Sequence, residues 1–141
     1  MIGVSGSGKS TYIKNNLQGY VVCSADHFFM QDGKYVFEPA KLGEAHASSV
    51  RNFVNACTSN LTKIVVDNTN TSIEQIAPYY AVAKAFGYKV KFVKMNTDLD
   101  VCASRNLHGV GRKSIDGMSF NLSRLNLPKF WDFELIEVKG V

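Results

Sequence analysis

Proline is scarce in this chain, at 3 in 141 residues, and there is 1 tryptophan. With so little proline and no low-complexity run, a collagen-like or linker-type protein is excluded. The 3 cysteines, Cys23, Cys57 and Cys102, lie far apart and form no CxxC pair. That spacing argues against a zinc site or a disulfide framework. They read as buried free thiols in a reducing compartment. His27 and His46 have no metal-ligand spacing with each other or with cysteine, so neither is assigned to catalysis. No apolar run approaches the ~18 residues of a membrane span. No basic segment followed by an apolar one marks a secretory signal. The expectation is a cytoplasmic protein with no membrane partner.

What is present has the balance of a folded domain. Apolar residues make up 45% and charged residues 20%, which argues against an intrinsically disordered chain. A length of 141 residues suits a single domain spanning 1–141. Such a chain buries roughly two-thirds of its unfolded surface and needs no staple. The net charge of +4 suits an anionic ligand, and it equally suits ordinary solubility.

Apolar patterning alternates strand and helix, which predicts an α/β layer architecture with a parallel sheet. Met1–Ile2 read as the end of a first strand that is either very short or lacks its start. A helix is expected over Lys9–Leu17, a strand over Tyr20–Ser24, and a helix over Pro39–Ala56 with Pro39 in its first turn. Ile64–Val66 is a β-branched strand ending in Asp67. Ile73–Phe86 reads as a helix after Ser72, although Pro78 predicts a kink or a later start. Tyr88–Met95 alternates lysine with apolar residues, which predicts one wet or polar-covered face. A helix over Asp98–Asn106, a Gly-rich basic loop at His108–Lys113, a helix over Asp116–Leu125 and a strand over Phe133–Val138 complete the pattern.

The strongest motif is Gly3-Val4-Ser5-Gly6-Ser7-Gly8-Lys9-Ser10 followed by Thr11, a full match to GxxxxGK[ST]. Gly3, Gly6 and Gly8 let the backbone wrap closely, so that its N–H groups face phosphate oxygens. The loop opens a helix, whose N-terminus adds partial positive charge. Ser5, Gly6, Ser7, Gly8, Lys9, Ser10 and Thr11 are therefore candidate contacts for a nucleoside triphosphate, with Lys9 on its outer phosphates and Ser10 on magnesium.

Two carboxylates follow strands. Asp67 ends Ile64-Val65-Val66, the form of a magnesium-supporting second motif, and equally the form of an Asp-Asn turn. Asp26, in Ala25-Asp26-His27-Phe28-Phe29, falls where open parallel sheets bind ligands. It suits a general base or a local cap. Arg105 and Arg112 flank the Gly-rich segment around His108 and suit either a lid over about 105–115 that brings positive charge to the phosphates or a solvated basic surface. Phe28, Phe29, Tyr35 and Phe37 read either as a base-stacking group or as a small aromatic core. Lys84, Lys89, Lys91 and Lys94 form a basic cluster that could track a phosphate backbone or simply be solvated.

Together with Tyr35-x-Phe37-x-Pro39, Val66-Asp67-Asn68-Thr69-Asn70 and Arg105-Asn106-x-His108-Gly109-Val110, these motifs resemble the small P-loop kinases. The relevant ones are related to the kinase half of phage polynucleotide kinase, and include short AAA-type and zeta-toxin-like ATP-binding proteins. The resemblance spans about residues 1–121. It implies a three-layer P-loop sandwich with about five mainly parallel strands in the order 2-3-1-4-5. It implies ATP and Mg²⁺ at Lys9 and Ser10, Asp26 as base toward a 5′-hydroxyl, and Arg105 as a lid arginine. Two departures stand out. Phe29 and Met30 stand where phage polynucleotide kinases tend to offer an arginine, and Gly111 stands where short relatives often have proline.

The leading expectation is an ATP- and Mg²⁺-dependent kinase acting on DNA or RNA 5′ ends. The alternatives are a kinase of a small molecule, such as a nucleoside or sugar nucleotide, and a non-catalytic ATP-binding interaction module.

Overall fold

The computed structural model describes residues 1–105 and 107–140. Gly8 takes a left-handed backbone and starts α1 (Lys9–Asn16). Strand β1 (Val21–Cys23) follows, then a 3₁₀ turn at Ala25–Phe29. Strands β2 (Met30–Gln31) and β3 (Lys34–Tyr35) form an antiparallel hairpin closed by Asp32-Gly33. The Asp-Gly pair takes φ of 50° and 78°, the two positive values that a tight hairpin requires. No strand was expected there.

A 3₁₀ turn at Pro39–Lys41 leads into α2 (Leu42–Thr58), so the predicted helix starts as 3₁₀ and runs slightly longer. Its buried stripe is Ala45, Ser49, Phe53, Ala56 and Cys57, a helical spacing. Strand β4 (Ile64–Val66) matches its prediction, and α3 (Ile73–Ala85) follows. This helix carries Pro78 inside it and does not begin later. The Gln75 side chain supports its entry by accepting from the Thr71 N–H at 2.8 Å.

Strand β5 (Lys91–Asn96), α4 (Leu99–Arg105), a 3₁₀ turn at Leu107–Gly109, α5 (Arg112–Ser123) and β6 (Glu134–Lys139) complete the chain. The expected helix end at Asn106 lies outside the described residues. Helix α5 begins at Arg112, four positions before the predicted Asp116. The Arg112–Asp116 pair at 2.8 Å stabilises its first turn. The expected lid over 105–115 is therefore helical at both ends, and its irregular part shortens to the segment around Leu107–Gly111.

Strands β1 and β4 pair in parallel, as do β5 and β6. Met1–Gly3 lies between these pairs. Its Met1 and Gly3 nitrogens donate to the Val66 and Thr69 carbonyls at 2.9 and 3.0 Å. On the other side, the Ile2 N–H donates to Val93 and the Ile2 carbonyl accepts from Met95, both at 2.8 Å. Only a single parallel bridge, Ile2 to Lys94, results. Among the described residues the strands therefore form two-stranded sheets, with Met1–Gly3 bonded between two of them, and not one continuous five-strand ladder.

Helices cover both faces of these strands. Val65, Val93 and Met95 pack with Ile13 of α1. Cys23, Ile64 and Val66 pack with Phe53 and Ala83 of α2 and α3. Ile2 and Phe92 pack with Ile76 of α3 and with Leu122 of α5. The alternating lysines of β5 do not give a wet face. Phe92 and Val93 are adjacent and both buried, which places apolar contacts on both faces. The three cysteines are free and buried, as expected. Among the described residues, no helix is long and apolar enough to cross a membrane.

Candidate active site

The phosphate loop is built by backbone geometry. Gly6 has a φ of 77°, and a Cβ placed on it would lie 2.5 Å from the Cys102 carbonyl oxygen. Only glycine allows both that conformation and that approach. Thr97 anchors the loop by donating to the Ser7 carbonyl at 2.7 Å, and Arg105 Nη1 donates to the Gly6 carbonyl at 2.7 Å. The Lys9 Nζ donates to the carbonyls of Gly3 and Val4 at 3.0 and 2.9 Å. Burial pushes the Lys9 ammonium below its ordinary value, while the Asp67 and Asp26 carboxylates act against that shift. The Ser7 hydroxyl is buried and has no hydrogen-bond partner among the described residues. The loop thus offers unsatisfied polarity and a desolvated cation, which an anionic ligand would complete.

The two carboxylates come together because their strands are parallel neighbours. Strand β1 leads to Asp26 and β4 leads to Asp67, and the Asp67 N–H donates to the Cys23 carbonyl at 2.9 Å. The Ser10 hydroxyl donates to Asp67 Oδ2 at 2.7 Å. This pair of hard oxygen donors beside the phosphate loop fits magnesium, which takes few protein ligands and completes its shell with phosphate and water. Among the described residues, no cluster of three or more His, Cys, Asp or Glu could hold a metal alone.

A cleft of about 900 Å³ joins these parts. Ser5, Gly6, Ser7, Gly8, Lys9, Ser10, Thr11, Asp26, Asp67 and Arg105 all line it. Gly3 contributes through its carbonyl to Lys9. Arg112 does not line the cleft. It was expected on the nucleotide, but its guanidinium bonds Asp116 at 2.8 Å and also Asp100, which raises its pKa further. Arg112 therefore ties α4 to α5.

Several residues around Asp26 were given no role toward it in the sequence. Tyr35 donates to Asp26 Oδ1 at 3.2 Å, and His108 Nε2 lies 3.8 Å from Asp26 Oδ2. Burial and then the Asp26 carboxylate push the Tyr35 hydroxyl up to about 12. Asn68 Oδ1 accepts from the Ala25 N–H at 2.9 Å, beside Asp26. Its amide nitrogen reaches Ser49 Oγ and the Tyr79 hydroxyl, each at 3.3 Å, and Tyr79 donates to Ser49 at 2.8 Å. This buried network fixes the turn carrying Asp26 relative to the strand end carrying Asp67. The hairpin was signalled by Asp32-Gly33, whereas nothing local announces the Asn68 network.

A phosphate-loop strand-to-helix turn, a second-strand carboxylate on its serine, and parallel strands covered by helices define a P-loop, kinase-like α/β domain. A sequence profile of the AAA domain family matches residues 1–117, and the chain belongs to that family. It is 35% identical over 124 residues to human NEDD4-binding protein 2, covering 82% of this chain and 7% of that protein. The chain thus spans a small part of the curated relative it matches. A gluconokinase from Sinorhizobium meliloti 1021 shares the fold, with a TM-score of 0.57 at 17% identity. That alignment covers 99% of this chain and 80% of the gluconokinase chain.

Proposed function

We propose that this chain is an ATP- and Mg²⁺-dependent phosphotransferase that moves the γ-phosphoryl group to a hydroxyl, the 5′-hydroxyl end of a DNA or RNA strand. The observation that carries this reading is the convergence of Lys9, the Ser10–Asp67 pair and Asp26 on one cleft. The loop N–H groups and Lys9 bind the phosphates, and Lys9 exchanges its loop carbonyl partners for phosphate oxygens. Magnesium, when bound, would be held by Ser10 and Asp67 and would neutralise phosphate charge. Asp26 takes the proton of the acceptor hydroxyl. The acceptor oxygen bonds the γ-phosphorus, the bond from that phosphorus to the β,γ-bridging oxygen breaks, and ADP leaves with the electron pair. Lys9 and Arg105 steady the spread negative charge. The rest of the work is positioning, for which the Asn68 network holds the Asp26 turn.

The 141 residues act in this reading as one kinase domain in the cytoplasm. Counting Met1–Gly3 as the first strand and leaving the hairpin aside, the backbone bonds support a sheet order of 2-3-1-4-5. The likeness in fold to a gluconokinase favours a second reading, in which the same chemistry acts on a small hydroxylated molecule.

The test is transfer from γ-labelled ATP with magnesium to 5′-hydroxyl DNA and RNA oligonucleotides, nucleosides and a sugar acid. Lys9→Ala is the control. Label on an oligonucleotide that disappears in the control is the expected result. Label only on a small acceptor moves the protein to the second reading. ATP binding with no transfer to any acceptor overturns both, and leaves a non-catalytic ATP-binding interaction module.

A further inference from the structure

The end of the cleft around Asp26 is walled by rings, with the His108 imidazole 3.8 Å from the Asp26 carboxylate. The hairpin presents Tyr35, and Phe37 follows two residues later on the same side. Their rings are parallel to within 4°, with centroids 6.3 Å apart. Phe29, 2% exposed, stands edge-on behind both, at 6.0 and 5.0 Å. His108 lies against the Tyr35 ring at 3.7 Å. Phe37 lines the cleft and leaves 45% of its surface open, far more than a core residue would. The polar edge of the wall meets Asp26 through the Tyr35 hydroxyl at 3.2 Å.

The lysine and arginine residues that line the cleft are Lys9, Arg105 and Lys139. Lys9 and Arg105 bond phosphate-loop carbonyls. Lys139 ends β6, which lies across Met1–Gly3 from β1 and Asp26. Among the described residues, the Asp26 end therefore has rings, a carboxylate and the His108 imidazole, while Lys9, whose charge Asp26 favours, bonds the loop carbonyls instead. A phosphate on the acceptor close to the reacting hydroxyl would meet the Asp26 carboxylate, with no arginine fork of the described residues bonded there to clamp it. A planar uncharged group would find aromatic surface, most openly at Phe37.

We propose that this end recognises a nucleoside bearing a free 5′-hydroxyl by stacking its base on the Tyr35–Phe37 wall, without clamping its 3′-phosphate. The proposal rests on the phosphotransferase reading and names the acceptor end of that same site. Tyr35 and His108 act as positioning residues, since they touch both the wall and the Asp26 carboxylate. The chemistry is shared by a free nucleoside and by the end of a strand, so both enter the test.

The probe is 2-aminopurine placed as the 5′-terminal base of a 5′-hydroxyl dinucleotide, whose fluorescence drops on stacking. The full chain without ATP should quench it, Phe37→Ala should lose the quenching, and Phe37→Trp should restore it. In the transfer assay, Phe37→Ala should raise the acceptor KM by about 5- to 100-fold, the range of one base–aromatic stack, with kcat within a few-fold. An abasic 5′ end should show the same rise on the unaltered chain. A nucleoside, its 3′-phosphate and the dinucleotide should differ by less than about 3-fold in KM, well short of what a charge-assisted phosphate contact gives. An abasic end used as well as a normal one, or a 3′-phosphate lowering KM by tenfold or more, would overturn the proposal and leave phosphotransfer standing. Quenching that depends on Phe37 without transfer to any acceptor would uphold stacking and remove phosphotransfer. Absence of quenching in the unaltered chain would overturn the stacking wall.

Discussion

The two ends of the cleft are built by different means. The phosphate end is a backbone structure. Its shape depends on a glycine that touches another segment's carbonyl and on side chains that bond loop carbonyls. The acceptor end is a side-chain structure. Asp26, Tyr35 and His108 come from a 3₁₀ turn, a two-residue strand and a second 3₁₀ turn. The Asp26 and His108 side chains stay 55% and 40% exposed, so little packing holds them. A ligand group common to every nucleotide is met by a fixed frame, and a group that differs between acceptors is met by replaceable side chains.

If this contrast is right, changes to the phosphate-loop backbone cost folding and binding together. Gly6→Ala forces a left-handed backbone and a clash with the Cys102 carbonyl. It should destabilise the chain by about 3 kcal/mol and abolish ATP binding, read by urea unfolding and calorimetry. Gly8→Ala has the strain without the close contact and should cost less. Lys9→Ala should leave the fold intact while label transfer falls by about 100- to 1,000-fold. An unchanged rate would remove Lys9 from the phosphates.

The junction between the ends gives an intermediate effect. Asn68→Ala strands the Ala25 N–H in a buried site and takes one partner each from Ser49 and Tyr79, which keep their bond to each other. A loss of about 2 kcal/mol is expected in urea unfolding. Equal stability would mean that the network does not hold the Asp26 turn.

The smallest effect belongs to Tyr35. Its hydroxyl is pushed up to about 12, so in alkali the unfolded chain loses that proton first. The stability it contributes is whole below pH ~10 and drains away as pH rises to about 12. Tyr35→Phe should flatten that part of the stability profile, and an unaltered profile would place the hydroxyl elsewhere.

The same contrast governs what the sequence could reveal. Gly3–Thr11 is a local motif, and the strand-to-helix turn around it was legible from composition and spacing alone. Ile64–Val66 was legible because its β-branched residues pack on both faces, Val65 buried and Ile64 and Val66 half-buried. The bond between Ser10 and Asp67 spans 57 positions, yet both residues sit in recognisable local contexts. The Asn68 amide has no such context: its partners come from α2, α3 and the turn after β1, and only the folded chain brings them together. The hairpin carried its signal in Asp32-Gly33, but flanking strands of two residues each are too short to alternate. Arg112 misled because a basic residue in a Gly-rich segment suits a phosphate equally well. Its partner Asp116 is at helical spacing only if α5 begins early, and its partner Asp100 comes from α4, 12 positions away.

The most direct measurement pairs ATP affinity with label transfer in Asp26→Asn. A base at the acceptor end, separate from the phosphate frame, predicts an ATP Kd within about 2-fold of the unaltered chain. Transfer to a 5′-hydroxyl dinucleotide should fall by about 100- to 10,000-fold. Transfer at an undiminished rate, or loss of ATP binding together with transfer, would contradict the division of the cleft into a phosphate frame and an acceptor base.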